Sequence, residues 1–177
     1  MIRAQEIATA VLFNLGEMYS RKHSDPELIE AINTVIRTLN MILINRDSNW
    51  VMKESNLKVK NGKATLPEDF AKMRNIYVTE DGETKNYEGD YRVVGDLIYM
   101  DKSGTMDYYY VIPMISTLED EIDIPSIFLE MFIRYATGLI DGSFGSSNLD
   151  KVISGEIDSL SSSENYPVIE RPMQFYV

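Results

Sequence analysis

The spacing of apolar residues predicts two helices at the start of the chain. Residues 3–22 repeat apolar side chains three and four positions apart, as an amphipathic helix does. Residues 26–46 repeat this pattern over a broader face, and Asp25 and Pro26 suit the cap and first position of a helix. Because the connection is short, we expect the two helices to form an antiparallel hairpin.

The pattern then changes to the alternation that is typical of strands. Over residues 55–113, apolar and polar positions alternate in short runs, and a period of two residues indicates a β-strand. Two dipeptides that favour tight hairpin turns interrupt these runs, Asn61 with Gly62 and Asp81 with Gly82. This region is therefore predicted to form a small antiparallel β-sandwich or barrel.

Helical spacing returns in the last third of the chain. A stripe of large apolar residues follows Pro125 and ends before Gly142, a residue type that commonly terminates helices. Residues 148–160 carry a weaker version of the same pattern. Together with the first two helices, these segments predict a bundle of four helices.

The predicted fold class is α+β, and its domains are discontinuous along the chain. A four-helix bundle takes residues 1–54 and 114–163, and a small antiparallel β-sandwich or barrel is inserted at residues 55–113. Residues 164–177 are predicted to form an extended C-terminal tail. Seven tail residues are apolar or aromatic, namely Tyr166, Val168, Ile169, Met173, Phe175, Tyr176 and Val177. We expect such a tail to be buried, either against another chain or against its own domain.

Composition and charge narrow the classes of function. The 177 residues include no cysteine, which excludes a disulfide scaffold, a thiol nucleophile and the usual structural zinc site. The net charge is −11, and the acidic excess lies in residues 61–177. Such a surface repels phosphates and disfavours tight binding of nucleic acid. No apolar run approaches the length of a membrane helix and no signal-peptide pattern is present, so a soluble protein is predicted.

The sequence offers little chemistry for catalysis. His23 is the only histidine and is expected to be a solvated turn residue. The densest acidic run, residues 119–123, has the oxygen donors for a hard cation or for a carboxylate-dependent hydrolase. Charges placed before a helix also suit its N-terminus, so a solvated linker is the preferred interpretation. No catalytic residue, metal ligand or cofactor site is predicted.

Three consecutive tyrosines stand near the end of the predicted β region. In a strand, Tyr108 and Tyr110 point to one face and Tyr109 to the other. Stacking on nucleic-acid bases is disfavoured, because Asp101 and Asp107 flank the tyrosines where such surfaces carry basic residues. The tyrosines are instead predicted to pack in the core and at a subunit or tail interface.

The order of several short segments resembles one protein family. The segments are Leu66, Pro67, Glu68, Asp69 and Phe70 at the entry to the β region, then the three tyrosines, then Ile124, Pro125, Ser126, Ile127 and Phe128 before a long helix. Together with the N-terminal helical hairpin, they resemble the head-to-tail adaptor (connector) proteins of podovirus-type bacteriophages, the tail tubular protein A group. The resemblance covers roughly residues 1–160.

The resemblance implies a structural virion protein without enzymatic activity or cofactor. Such adaptors form a ring of twelve subunits beneath the portal protein, where they extend the DNA channel and present a platform for downstream tail proteins. Made in the host cytoplasm, the protein would reside in the virion neck, with no membrane contact, and DNA would pass without specific binding. The tail lies outside the resemblance, but its apolar and aromatic side chains lead us to expect that it binds the portal or a neighbouring subunit.

Three alternatives to this interpretation remain open from the sequence. The chain could be another neck or tail-completion ring protein that binds below the adaptor. It could be a small carboxylate-dependent hydrolase that uses Asp120 and Asp123. It could also be a helical scaffold encoded by a host and unrelated to phages.

Overall fold

The computed structural model describes residues 1–163, which form four helices and nine short strands. In chain order these are β1 (Ile2–Arg3), α1 (Ala4–Asn14), α2 (Asp25–Asn45), β2 (Met52–Leu57), β3 (Lys63–Thr65), β4 (Phe70–Glu80), β5 (Glu83–Asn86), β6 (Arg92–Val94), β7 (Leu97–Tyr99), β8 (Gly104–Tyr110), β9 (Glu121–Ile122), α3 (Leu129–Ile140) and α4 (Ser146–Ser163). Short 3-10 turns, Asn49–Val51 and Ser126–Phe128, precede β2 and α3.

Helix α1 ends at Asn14, so the prediction of a helix through residue 22 is wrong. The backbone N–H of Glu17 donates to the carbonyl of Leu12 at 2.8 Å, and that of Gly16 donates to Phe13 at 3.0 Å. This pair of bonds closes a helix around a residue with positive φ, and Gly16 has a φ of 72°. Because glycine has no Cβ, it adopts that conformation without strain. Gly16 therefore stops the helix and redirects the chain.

Helix α2 begins with a reciprocal cap. The backbone N–H and the hydroxyl of Ser24 donate to the carboxylate of Glu27 at 2.7 and 2.8 Å. Ser24 followed three residues later by Glu27 is the pattern of a capping box. The cap is therefore Ser24, not Asp25 as predicted, and the Asp25 carboxylate pairs with Arg21. The predicted extent, residues 26–46, agrees with the structure to within one residue.

Within residues 1–163 the strands form three antiparallel sheets. The four-stranded sheet has the order β2-β8-β4-β5, the three-stranded sheet has the order β3-β7-β6, and β1 pairs with β9. Asn61 and Gly62 form the predicted turn with φ of 53° and 75°. The chain pairs only at Lys60 and Lys63 beside this turn, and β2 and β3 then enter different sheets. The predicted turn is confirmed, but the strands on its two sides do not pair with each other as a continuous hairpin.

A seam of amide hydrogen bonds joins α2 to the segment that follows β8. Asn33 donates to the carbonyl of Ile115 and accepts from its N–H, both at 2.9 Å. Asn40 makes the same pair of bonds with Ile112, at 2.9 and 2.8 Å. Seven residues of helix rise about 10 Å and three residues of extended chain span about 10 Å, so the two spacings match. We call these four residues the asparagine seam.

The predicted four-helix bundle is wrong, although the α+β class is broadly consistent with the structure. Helix α3 packs against α1 and α2, and α4 packs against α2 and α3. The same core cluster also contains residues of the sheets. Non-helical chain between β8 and α3 adds five buried side chains, those of Ile112, Ile115, Leu118, Ile122 and Ile124. Helices and extended chain therefore share one core, and the helices do not form a separate bundle.

Candidate functional site

The ammonium of Lys53 lies at the centre of a polar cluster on the four-stranded sheet. Its Nζ atom is 3.0 Å from Oδ2 of Asp69 and 2.8 Å from Oδ2 of Asp123. It also lies 3.9 Å from the ring centroid of Tyr110, within the range of a cation–π contact. Asp69 immediately precedes β4, and Asp123 follows β9. One cation thus joins segments that are distant in sequence.

Two tyrosine hydroxyls complete the cluster. The hydroxyl of Tyr108 donates to Oδ1 of Asp69 at 2.9 Å. The hydroxyl of Tyr110 donates to the backbone carbonyl of Asp123 at 2.5 Å. We call Lys53, Asp69, Tyr108, Tyr110 and Asp123 the Lys53 junction.

Strand register explains why these residues meet. Lys53 on β2 lies directly opposite Tyr108 on β8, and Phe70 at the start of β4 lies opposite Tyr110. Asp69 is held beside β8 because its carbonyl accepts from the N–H of Val111 at 2.8 Å. Two of the three segments that carry the family resemblance, those of Asp69 and Tyr108, therefore meet at one lysine, and Asp123, the residue before the third segment, joins them.

Electrostatics keep this junction in one protonation state near neutral pH. Burial lowers the pKa of Lys53, but hydrogen bonds to Asp123 and Asp69 outweigh it and hold the pKa above its usual value. Burial, reinforced by the bond to Asp69, raises the pKa of Tyr108 to about 12. Burial and the charge of Asp123 raise the pKa of Tyr110 to about 12. The lysine stays cationic and the tyrosines stay neutral, so the junction acts as a structural tie.

The three tyrosines are buried within their own chain. Tyr108, Tyr109 and Tyr110 are only 3–4 % exposed. The ring of Tyr108 stacks on Phe70 at 5.9 Å, and the ammonium of Lys72 lies over Tyr109. This corrects their predicted role at a subunit or tail interface, because their surface is already covered by the same subunit. Their core role explains the repeat, since both faces of β8 are covered at this end.

The predicted partner-binding residues of the tail lie outside the described residues 1–163. They are Tyr166, Val168, Ile169, Met173, Phe175, Tyr176 and Val177. Their assignment to partner binding stays a prediction.

The acidic run at residues 119–123 is divided among separate partners. The Asp120 carboxylate accepts from the backbone N–H groups of Ser116 and Thr117 at 2.6 and 3.0 Å. These bonds hold the pKa of Asp120 below its usual range. Glu121 pairs with Arg3, and Asp123 belongs to the Lys53 junction. Within residues 1–163, no group of three or more His, Asp or Glu residues is arranged to hold a metal ion.

His23 is paired with a buried acid. Its Nδ1 atom lies 2.9 Å from the carboxylate of Glu17, which is only 6 % exposed. That carboxylate also accepts from the backbone N–H groups of Lys22 and His23 at 2.8 and 3.1 Å. Burial raises the pKa of Glu17, but these hydrogen bonds outweigh it and leave the pKa lowered. Glu17 thus orders the connection between α1 and α2. The sequence analysis predicted His23 as a solvated turn residue and did not identify Glu17 as its partner.

Sequence reasoning missed an exposed apolar surface at this connection. Phe13, Met18 and Tyr19 are 69, 51 and 103 % exposed, and the basic residues Arg21 and Lys22 lie beside them. The helix predicted over residues 3–22 would include Met18 and Tyr19 in its amphipathic pattern. Gly16 was the signal that the helix stops before them.

Exposed apolar residues also lie on the hairpin of β6 and β7, on both of its faces. Tyr91, Val93, Val94 and Tyr99 are 37–50 % exposed. Four exposed acidic residues surround them along the chain, namely Glu88, Asp90, Asp96 and Asp101. The alternating pattern correctly predicted strands here but not which apolar side chains stay outside.

Comparison with known proteins adds no family assignment. No family model and no curated protein matches the sequence of this chain. Across residues 1–163, no helix combines the length and the apolar character that spanning a membrane requires. The resemblance to phage adaptors therefore depends on its motifs and on where the fold places them.

Proposed function

We propose that this protein is a head-to-tail adaptor of a tailed bacteriophage, a ring subunit that binds the portal protein and carries downstream tail proteins. The supporting observation is the Lys53 junction. Asp69 and Tyr108 belong to two of the segments that resemble the adaptor family, Asp123 directly precedes the third, and these residues meet at Lys53. Residues of separate motifs that contact one another in the fold support the proposal more strongly than motifs that lie apart.

The proposed role requires assembly and no chemical step. The protein would be made in the host cytoplasm and reside in the virion neck, in a ring of twelve copies. The acidic excess of residues 61–177 would let DNA pass through the channel without sticking, because like charges repel. The tail, residues 164–177, would bind the portal or an adjacent subunit by its apolar side chains.

Electron microscopy tests the proposal directly. The full-length protein is mixed with the portal protein encoded in the same genome, and particles are imaged with and without it. We expect rings of the protein on one end of the portal. A portal that remains bare at excess protein would rule the adaptor role out.

Deletion of residues 165–177 tests the tail separately. We expect the truncated chain to keep the circular dichroism and unfolding midpoint of the full chain but to lose its attachment to the portal. Truncated protein that still decorates the portal would exclude the tail as the attachment segment.

A further inference from the structure

We propose that helix α4 is a strap that detaches from α2 and α3 as one unit while the rest of the fold stays intact. Its release uncovers the side chains of α2 and α3 that it covers. The inference goes beyond the adaptor function and does not depend on it, because it concerns the stability of one helix. Composition, packing and polar contacts of α4 all support it.

The composition of α4 disfavours an independent helix. Its 18 residues include seven serines, two aspartates, one asparagine and one glycine. Short polar side chains compete with the helix for backbone hydrogen bonds, and glycine loses the most backbone freedom on folding. Helix α2, by contrast, contains neither serine nor glycine. The helical conformation of α4 must therefore come from its packing against the core.

The packing of α4 is narrow. Three side chains in its described part are buried, Leu149, Ile153 and Ile157, and their spacing of four residues places them in one stripe. Val152, on another side of the helix, is 41 % exposed. Helix α2 buries eight apolar side chains. Because the gain from burial scales with apolar area, α4 is held far less firmly than α2.

The polar contacts of α4 are mostly exposed ion pairs. The guanidinium of Arg46, at the end of α2, donates to Oδ1 of Asp158 at 2.5 Å and to the carbonyl of Ser154 at 3.3 Å. Arg134 on α3 donates to the carboxylate of Glu156 at 3.1 Å. The side chains of Arg46 and Asp158 are 35 and 68 % exposed. Water and salt screen such pairs, so they hold the helix weakly.

Tyr135 on α3 marks the surface that α4 covers. The side chain is buried, and its hydroxyl donates to Oε2 of Glu156 at 2.5 Å. Burial, reinforced by this bond, raises the pKa of Tyr135 to about 12. Release of α4 takes Glu156 away and opens the hydroxyl to solvent. A bound α4 therefore conceals a polar group of α3 together with the apolar side chains that face its own stripe.

The connection before α4 stays on α3 when the helix leaves. The backbone N–H of Phe144 donates to the carbonyl of Gly138 at 2.9 Å. The Phe144 ring lies so close to Gly138 that a Cβ there would clash with it. This packing leaves Gly145, the residue before α4, as the point where release begins. No other described element follows α4, so its release interrupts no other part of the chain.

Undocking changes the geometry of the chain as well as its surface. Residues 164–177 follow α4 directly, so release moves their point of attachment away from the core. As a helix the 18 residues span about 27 Å, and fully extended they span about 60 Å. Elements that move in proteins are those whose local opening costs least. The strap thus controls both access to the covered surface and the reach of the residues after it.

Cysteine labelling tests the proposal in the full-length chain, which has no native cysteine. Ile153→Cys on α4 and Ile36→Cys on α2 are matched, because both isoleucines are fully buried. Under native conditions we expect a thiol reagent to label Ile153→Cys at least about 100-fold faster than Ile36→Cys. Exposed Val152→Cys should react at once. Low urea should accelerate labelling at position 36 steeply and at position 153 only slightly, because local opening exposes little surface.

Equal rates with equal urea dependence for Ile153→Cys and Ile36→Cys would overturn the proposal, because α4 would then open only with the whole chain. Adding Asn33→Ala sharpens the comparison. This substitution weakens the asparagine seam, which stays intact when α4 alone leaves. We expect it to speed labelling at position 36 at least about tenfold and to leave position 153 unchanged. Acceleration of both positions by the same factor would also overturn the proposal.

Gly155→Ala tests the physical cause. No atom lies within 4 Å of the position that a Cβ would take at Gly155, so alanine adds helix propensity without a clash. It should slow labelling of Ile153→Cys about two- to fivefold. Arg46→Ala should speed that labelling, and about 1 M salt should reduce the difference. Rates that respond to neither substitution would contradict weak helix propensity and weak ion pairs as the cause of release.

Hydrogen exchange of the unmodified chain avoids any effect of substitution on folding. Amides of residues 149–160 should exchange at least about 100-fold faster than those in the middle of α2, with little dependence on urea. Equal protection of the two helices would overturn the strap. These measurements do not involve the portal, so a portal that stays bare would overturn the adaptor function and leave the strap untouched.

Discussion

Two contacts join segments that are distant in the chain, and they use opposite chemistry. In the asparagine seam, two neutral side chains on α2 bind the backbone of Ile112 and Ile115, and Asn33 is only 7 % exposed. In the Lys53 junction, charged groups of different strands and loops meet where the side chains of Lys53 and Asp123 remain 36 and 43 % exposed. The first contact is neutral and largely buried, and the second is charged and partly exposed to solvent.

The two contacts should therefore affect the free energy of unfolding in different ways, one independent of salt and the other dependent on it. A buried amide that loses its partner leaves an unsatisfied group, which costs about 1–3 kcal/mol whatever the salt concentration. A partly exposed ion pair contributes about 0–1 kcal/mol, and salt screens it. The seam should therefore hold the fold together, while the junction should make the stability depend on pH and ionic strength.

The largest effect is expected from Asn33→Ala. The substitution leaves the N–H and carbonyl of Ile115 buried without partners, so we expect a loss of about 2–3 kcal/mol in the free energy of unfolding. Urea titration followed by circular dichroism measures it. Arg37→Ala on the exposed side of the same helix is the control, with a loss below about 0.5 kcal/mol. Equal losses in both variants would refute the seam's role.

A smaller effect is expected from Lys53→Met. Removing the cation leaves Asp69 and Asp123 facing each other, but both are partly exposed, so we expect a loss of about 1 kcal/mol. Lys58→Met, also on an exposed part of the β region, serves as the control. In a double-mutant cycle, Lys53→Met and Asp69→Asn should be non-additive. Additive losses would show that the ion pair contributes nothing.

Alkaline pH should weaken the junction and spare the seam. The pKa of Lys53 is raised on folding, so its contribution is present below the unfolded pKa, near 10.4, and is lost as pH rises through the folded value. Tyr108 and Tyr110 have pKa values raised to about 12, so unfolded chains release these protons first. Thermal unfolding midpoints should therefore fall above about pH 10. Tyr108→Phe should flatten this fall, and an unchanged slope would contradict it.

Salt should produce the smallest effect. At about 1 M sodium chloride the screening length falls to about 3 Å, so the stability difference between wild type and Lys53→Met should shrink by a few tenths of a kcal/mol. The difference between wild type and Asn33→Ala should not change, because its hydrogen bonds are neutral. If salt reduced both stability differences equally, the distinction between the charged and the neutral contact would be wrong.

Several features of the fold could be predicted because they depend on adjacent residues. Periodicity located α2, α3 and the strands, and the turns at Gly62 and Gly82 followed from the residues before them. The end of α1 was missed although Gly16 is a local signal, because the apolar stripe continues through Met18 and Tyr19. The stripe misled because Met18 and Tyr19, which are exposed, continue the spacing of the core residues.

The Lys53 junction and the exposure of individual side chains were harder to predict from the sequence. Tyr108 and Asp69 were recognised as parts of motifs, but nothing in either segment indicates Lys53 as their common partner. The interface role predicted for Tyr109 required its exposure, and exposure depends on what the rest of the chain covers. The tail was assigned to partner binding from composition, and that remains a prediction.

By itself, the sequence determined the order of helices and strands, the tight turns and the uneven charge. These properties depend on neighbouring residues and on simple counts. Only the tertiary structure decided that β2 pairs with β8 and that Asn33 meets Ile115. Those outcomes depend on contacts between residues far apart in the chain, whose energies no local pattern contains.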